Sequence, residues 1–311
     1  MLTLPDFTEK KIVVVANFGD DPNDLKIKNS NICLYKFGEF KNEITPHLVL
    51  CIFIIGSTTL TTNLIEKTKK LGISIFLLNR SLKLIGYINS KAEGNYKIRT
   101  IQYNLSKSAS LELSKNLVYN KVLNQLSIVG QKNKASDFKK QIFKTKSEKT
   151  LLGIEGNISS LYFKEVFKNL NWYRRAPQTK EDIPNLLLDI GYTFLFNYVD
   201  SLLNLFGFDT YKGFYHKLFF QRKSLSCDLM EPMRPLIDKQ LVKSFNLGQI
   251  NKKDFKFKNG SFTIKNGNQK KYVDIWLRVL MKHRDLIYSY VLGFYRHLLY
   301  PEKYKFPMFK V

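Results

Sequence analysis

The hydrophobic period of this chain changes once, near residue 92, and that change limits the possible folds more than any single motif does. Before it, apolar residues come in short β-branched or aromatic runs: Lys11 to Ala16, Asn31 to Lys36 and Leu48 to Ile55. Turn-rich pieces such as Gly19 to Asp24 separate them, which is the pattern of strands. Thr59 to Gly72 reads as one short helix, with Thr59 or Thr61 as its cap and Gly72 at its end. Ile73 to Leu78 and Leu82 to Ile88 read as two further strands, so residues 1–92 are expected to form a sheet domain with one inserted helix. The polar stretch from Ser90 to Lys97, which contains Gly94, is the best linker candidate. Beyond it apolar residues recur at three- and four-residue steps: Ser108 to Val129, Phe138 to Phe143, Leu161 to Leu170, Leu186 to Phe206 and Val273 to Tyr300 are expected helices. Two stretches are polar and Lys-rich, Gln131 to Thr150 and Asn251 to Lys271. The second, with Gly260, Gly267 and several Asn, is expected to be an exposed loop or hairpin.

With 311 residues, 44% of them hydrophobic, the chain can bury one large core or two smaller ones. Its 50 Lys and Arg against 26 Asp and Glu give a formal net charge of +24. That imbalance says nothing of fold but favours a polyanionic partner, nucleic acid first and an anionic membrane second. A basic surface that is merely solvated gives the same number. Leu48 to Ile55, the strongest apolar run, is too short to span a bilayer, and the N-terminus lacks a signal peptide's apolar region. The expectation is therefore no membrane, a nucleic-acid partner and a cytoplasmic location. Cys33, Cys51 and Cys227 are too widely spaced for a disulfide framework or zinc knuckle, which fits a reducing compartment.

The common phosphate-loop, nucleophile-elbow and zinc-protease motifs do not occur. Of the four histidines, His47, His283 and His297 read as structural or solvated. His216 differs: it follows a turn and an aromatic pair, and precedes a segment with Asp228 and Glu231 three residues apart. On a helix those two acids would share a face, although Pro232 leaves open where that helix begins. Glu155 stands between two glycines at the start of a helical pattern, where a helix N-terminal carboxylate is an equally simple role. One imidazole with several hard oxygen donors suits magnesium or manganese acting on phosphate, and suits structural zinc poorly. Spacing alone does not separate such a site from scattered acids.

Four segments do so by resemblance: Gly153 to Asn157 with Tyr162, Asn185 to Thr193, Gly207 to His216, and Ser224 to Pro235. In order and rough spacing they resemble the CRISPR-associated integrase family, the proteins of spacer acquisition. Ile54 to Thr61 with Gly72 to Phe76 resembles the family's strand–helix–strand pattern, and Arg99 to Gln102 the start of its helical domain, so the resemblance covers nearly the whole chain. It implies an α+β protein: a small N-terminal β-sandwich-like dimerisation domain, residues 1–92, followed by a larger all-α catalytic domain, residues 98–311. It implies a divalent metal, magnesium or manganese, on Glu155, His216 and Glu231, with Asp228 a fourth catalytic acid that tunes or orients a ligand. Because His216 must be neutral to ligate, activity is expected to fall in acid. Arg174 and Arg175, in a basic element where Ala176 replaces the family's common Pro, together with Asn185, Arg222 and Arg234, form the implied DNA-contacting set. The implied partners are double-stranded DNA, a second copy of the chain, and a small CRISPR-associated protein of ferredoxin-like fold. The implied reaction is metal-dependent transesterification, in which a DNA 3′-hydroxyl attacks a phosphodiester of the CRISPR array. A structure-selective endonuclease using water, and a non-catalytic basic DNA scaffold, are the alternatives.

Overall fold

The computed structural model describes residues 10–19, 21–80, 84–88, 95–170, 172–217 and 220–311. Two four-stranded sheets come first in the chain. The inner one runs in the order β1 (Lys11–Asn17), β5 (Val49–Gly56), β7 (Ser74–Leu78), β8 (Leu84–Ile88), with the first three parallel and β8 antiparallel to β7. The outer one runs β4 (Glu39–Ile44), β3 (Asn31–Lys36), β2 (Asn23–Lys28), β6 (Thr58–Leu60). The helix α1 (Thr62–Lys70) links β6 to β7. The Thr61 hydroxyl caps it by accepting the Leu64 amide at 3.3 Å, and Gly72, at φ +75°, turns the chain out of it.

β5 explains its own apolar run. A parallel strand covered on both faces has no polar side to show. Val49, Ile52 and Ile54 pack with Leu25, Ile32 and Leu64 between the two sheets. Leu50, Cys51, Phe53 and Ile55 instead join the core of the helical half. Phe53 stacks at 5.2 Å on Phe76 and meets Phe194 at 5.1 Å. The inner sheet is thus the middle layer, and the helices close its second face.

Those helices are α2 (Tyr96–Tyr103), α3 (Lys107–Ile128), α4 (Ala135–Lys144), α5 (Glu148–Val166), α6 (Ile183–Leu205), α7 (Ser224–Met230), α8 (Arg234–Asn246) and α9 (Gln269–Leu299). Side-chain oxygens cap three of them: Ser106 for α3, Ser147 for α5 and Asp182 for α6. α6 is the one helix among the described residues long and apolar enough to cross a membrane. It lies at the centre of the molecule, with 83% of its most apolar stretch buried. The architecture is α+β, strands first and helices after, as the resemblance implied.

Three differences from the sequence reading have physical causes. β2 begins at Asn23, inside a segment that reads as turn, because Asn23 pairs with Lys36 and Thr58 on its two sides. β4 lacks apolar alternation because it is an exposed edge strand. Thr59 belongs to β6, so Thr61 alone caps α1. The linker candidate falls largely on residues 90–94, outside the described residues. The second Lys-rich stretch forms a hairpin, β9 (Phe255–Lys258) and β10 (Ser261–Ile264), turning at Asn259 and Gly260. The first is mostly helical: a 3-10 turn, α4 and the start of α5 occupy it.

Candidate active site

Pro232 does not break the segment that carries the two acids. α7 ends at Met230, a 3-10 turn covers Glu231–Met233, and α8 starts at Arg234. Pro232 and Pro235 each fall in the first turn of a new helical piece, where a missing N–H costs nothing. The start of α7 is pinned from below: Lys223 lies 2.7 Å from the buried carboxylate of Asp200, which also accepts Ser226 Oγ at 2.8 Å.

Asp228 is fully buried and organises the loop ahead of α7. Its Oδ2 accepts the amides of Phe214 at 2.8 Å and Tyr215 at 3.1 Å, and its Oδ1 accepts the amide of His216 at 2.8 Å. Oδ1 also lies 2.6 Å from His216 Nδ1. That contact places the ring proton on Nδ1 and leaves Nε2 with its lone pair, the usual way a carboxylate prepares a histidine ligand. Gly213 lets the loop come this close, because a Cβ there would stand 2.7 Å from Asp228 Oδ2.

Glu155 sits in the interior of α5, two turns beyond Ser147, the residue that caps the helix. The N-terminal-carboxylate role considered from the sequence is therefore corrected: the helix starts at Glu148, and Glu155 faces the molecule. Its Oε1 accepts Ser159 Oγ at 3.1 Å. From α3, the buried Lys121 reaches the same Oε1 and also lies 2.7 Å from Glu231 Oε2. Arg234 Nε is 3.0 Å from the other Glu231 oxygen, and its guanidinium covers the Tyr192 ring at 4.9 Å. Burial alone would raise the Glu231 carboxyl. Arg234, then Lys121, then His216 outweigh it and hold the group down at about 2. The Tyr215 hydroxyl is buried beside these acids; burial first, then Glu155 and Glu231, push its pKa far up, so it stays a neutral phenol.

The structure thus builds two pairs, Glu155 with Glu231 around Lys121 and His216 with Asp228, and the α7 end joins them, Asp228 standing three residues before Glu231. Among the described residues no three acids, histidines or cysteines close into a ready cation cage. The donor set nonetheless fits a hard divalent cation: two carboxylates, Glu155 and Glu231, and one imidazole lone pair. An ammonium group already stands between the two carboxylates. Lys121 was missed from the sequence, where it is one of 50 Lys and Arg.

The implied DNA contacts divide. Arg174 is exposed and loosely paired with Glu181 at 3.3 Å, and Arg222 is exposed. Arg234 is a third exposed but committed to Glu231. Asn185 and Arg175 have structural partners within the chain. Asn185 is fully buried; its Oδ1 accepts Arg175 Nη1 at 2.8 Å and the Ala176 amide at 3.0 Å, and its Nδ2 donates to the Arg174 carbonyl and to Asp182. Arg175 is also bound to Asp189 and lies over Tyr192. Together they fasten the 173–182 loop to α6.

A second cationic surface was also missed. α8 and α9 bound a groove lined by Lys239, Lys243, Lys271, Arg278 and Lys282, with Asp274 the acid among its lining residues. On α9 the steps from 271 to 278 and 282 place three cations on one helix face.

Comparison with known proteins gives a consistent picture. Residues 19–278 match the family described as CRISPR associated protein Cas1. A protein of Thermodesulfovibrio yellowstonii named CRISPR-associated endonuclease Cas1 1 is 27% identical over 299 residues, covering 89% of this chain and 94% of that one. A casposase bound to integration product superposes with a TM-score of 0.78 at 20% identity, over 95% of this chain and 92% of that one. A chain of a Cas6-RT-Cas1–Cas2 complex superposes with a TM-score of 0.80 at 21% identity, over 97% of this chain and 36% of that one.

Proposed function

This chain belongs to the CRISPR-associated Cas1 family, and from that premise we propose that it is a divalent-metal-dependent DNA integrase that joins short fragments into a CRISPR array. The observation that carries the reading is the pair Glu155 and Glu231 on one buried cation, with the Asp228-oriented His216 alongside. Glu155, Glu231 and His216 Nε2 would hold magnesium or manganese. When bound, such an ion polarises a scissile phosphate and offsets charge developing on its oxygens. The protein's own work is to fix the donors. Asp228 sets the His216 tautomer and ring orientation, Ser159 aims Glu155, and Arg234 holds Glu231 from its far oxygen.

The partners proposed are double-stranded DNA, a second copy of the chain, and a small CRISPR-associated protein of ferredoxin-like fold. The net charge of +24 and the groove between α8 and α9 support DNA. Likeness to a chain of a complex that contains Cas2 supports the small partner. Exposed Phe37 and Phe40 at the edge of the outer sheet support pairing of copies there.

The second reading, a nuclease using water, is favoured by the endonuclease name of the Thermodesulfovibrio relative. A labelled branched DNA that mimics a half-joined product separates the two. An integrase is expected to run transesterification backwards, releasing the flap and resealing the continuous strand without ATP, because positioning makes the 3′-hydroxyl outcompete water. Flap release that leaves a nick would make this protein a hydrolase. Glu155→Ala and His216→Ala are expected to abolish either reaction while DNA affinity stays within about twofold, since affinity rests on dispersed phosphate contacts. Retained joining in either variant would remove that residue from the ligand set.

A further inference from the structure

We propose that Lys121 is a resident cation of the active site: its ammonium holds Glu155 and Glu231 together before metal arrives, and it leaves that position when metal loads. The inference rests on the metal reading above and goes beyond it, because it assigns a role to a residue outside the ligand set.

Three observations carry it. First, Lys121 is not a surface lysine. Only 11% of its side chain is exposed, against 18% for Glu155 and 7% for Glu231, and it contacts both carboxylates. Two carboxylates this buried repel each other, and each lone ion carries a large desolvation penalty. A cation between them removes both problems. Second, the two positive partners of Glu231 differ in freedom. Arg234 takes the other oxygen and sits over the Tyr192 ring, a planar group held by its neighbour. Lys121 takes the inner oxygen at the end of a flexible four-carbon stem. Third, among the described residues the expected ligands do not close into a cage of three, and the ammonium stands between two of them.

Charge then disfavours joint occupancy. A divalent ion held by Glu155 and Glu231 would compete with the ammonium for the same two carboxylates, a like-charge approach in a poorly screened site. Lys121 is therefore a positioning residue. It pre-assembles the carboxylate pair, keeps the site from flying apart while empty, and makes loading a cation exchange, at the cost of weaker apparent affinity.

The test uses the full-length protein and Mn2+ alone, followed by electron paramagnetic resonance of the free ion. Lys121→Met keeps the stem and removes the charge. The variant is expected to bind Mn2+ about tenfold more tightly than wild type. It should also melt lower without metal and gain more on adding it. Affinity equal to or weaker than wild type overturns the proposal. A second measurement needs no variant: acylation of Lys121 in the wild type, read by peptide mass spectrometry, is expected to speed up several-fold when Mn2+ is present. An unchanged or slower rate overturns the proposal even where Lys121→Met fails to fold. Glu155→Gln separates the two levels of inference. If Mn2+ binds wild type and Glu155→Gln equally, or neither, the metal reading itself falls and this proposal with it. If Glu155→Gln loses Mn2+ but Lys121→Met does not tighten it, only the role of Lys121 falls.

Discussion

Glu231 has a cation on each oxygen, and that makes its ionisation part of folding rather than only of catalysis. Its folded pKa, near 2, lies below the ordinary carboxyl value of 4.5. A lowered carboxylate pKa supplies stability that is fully present above the unfolded value and is lost as pH falls through the folded one. The window is therefore about pH 4.5 down to 2. Comparing wild type with Glu231→Gln isolates this group from all others, since only the wild type can lose it. The stability gap between them is expected to shrink by roughly 2 kcal/mol between about pH 6 and about pH 3. Denaturant melts at the two pH values measure it; a constant gap would mean that Arg234 and Lys121 do not govern Glu231. Asp238 has the opposite sign: burial lifts it to about 6 while Tyr192 and Tyr162 donate to it, so its contribution weakens as pH rises. At this scale the sequence was informative about anions and silent about their cations. Glu155, His216, Asp228 and Glu231 were named because the family's segments mark them and histidines are only four. Lys121 had a faint signal of its own: it interrupts the apolar stripe of Leu113 and Leu117 one turn later, where α3 needs a buried residue.

Elements carry the division between residues that hold the fold and residues that can meet DNA. The resemblance pointed to Asn185 and the two arginines together because they are close in sequence, yet α6 buries one end of that loop and leaves the other in water. Asn185→Ala removes four hydrogen bonds at a buried cap and leaves Arg175 with one partner fewer. It is expected to cost roughly 2–4 kcal/mol in stability and to leave the salt dependence of DNA binding unchanged. A stable Asn185→Ala protein with weakened DNA binding would return this residue to the interface. The groove of α8 and α9 gives the contrasting result. Replacing Lys239, Lys243 and Arg278 by Gln should leave melting nearly unaffected, because all three are exposed. The slope of log affinity against log salt should fall in magnitude by about 2–3, at about 0.9 for each phosphate no longer neutralised. Equal slopes for variant and wild type would make the groove a solvated surface. The groove was illegible in the sequence for the reason that the helices were legible: periodicity says which residues share one helix face, but not which two faces meet. The strands β2, β4 and β6 were missed for a related reason, since short strands, at the sheet edge as β4 and β6 or between two neighbours as β2, take their identity from pairing rather than from apolar pattern.

The whole molecule is tied together by the inner sheet, and this changes what a truncation should do. From the sequence, residues 1–92 are expected to form a small sheet domain through which two copies pair. In the structure one face of the inner sheet is already taken within the chain: Leu50, Cys51, Phe53, Ile55, Phe76 and Leu78 all pack into the core that the helices share. Cutting the chain near residue 92 would expose these six buried side chains at once. At about 1.5–3 kcal/mol each, that loss is on the order of 10 kcal/mol, comparable with the entire stability of a small domain. The outer sheet does not offset it, because its side of the inner sheet is a separate cluster of Val49, Ile52, Ile54 and their neighbours. Two copies meeting through the outer edge, near Phe37 and Phe40, would leave the stripped face open as well. The isolated segment 1–92 is therefore expected to lack a cooperative thermal transition, to bind a hydrophobic dye strongly and to aggregate at micromolar concentration. The full-length chain should melt cooperatively and sediment as a dimer. Should the segment instead form a soluble dimer with a sharp melt, the apolar face of the inner sheet would have a second partner as good as the helices. Pairing of copies would then run through that face, and the exposed phenylalanines of the outer sheet would no longer mark the interface.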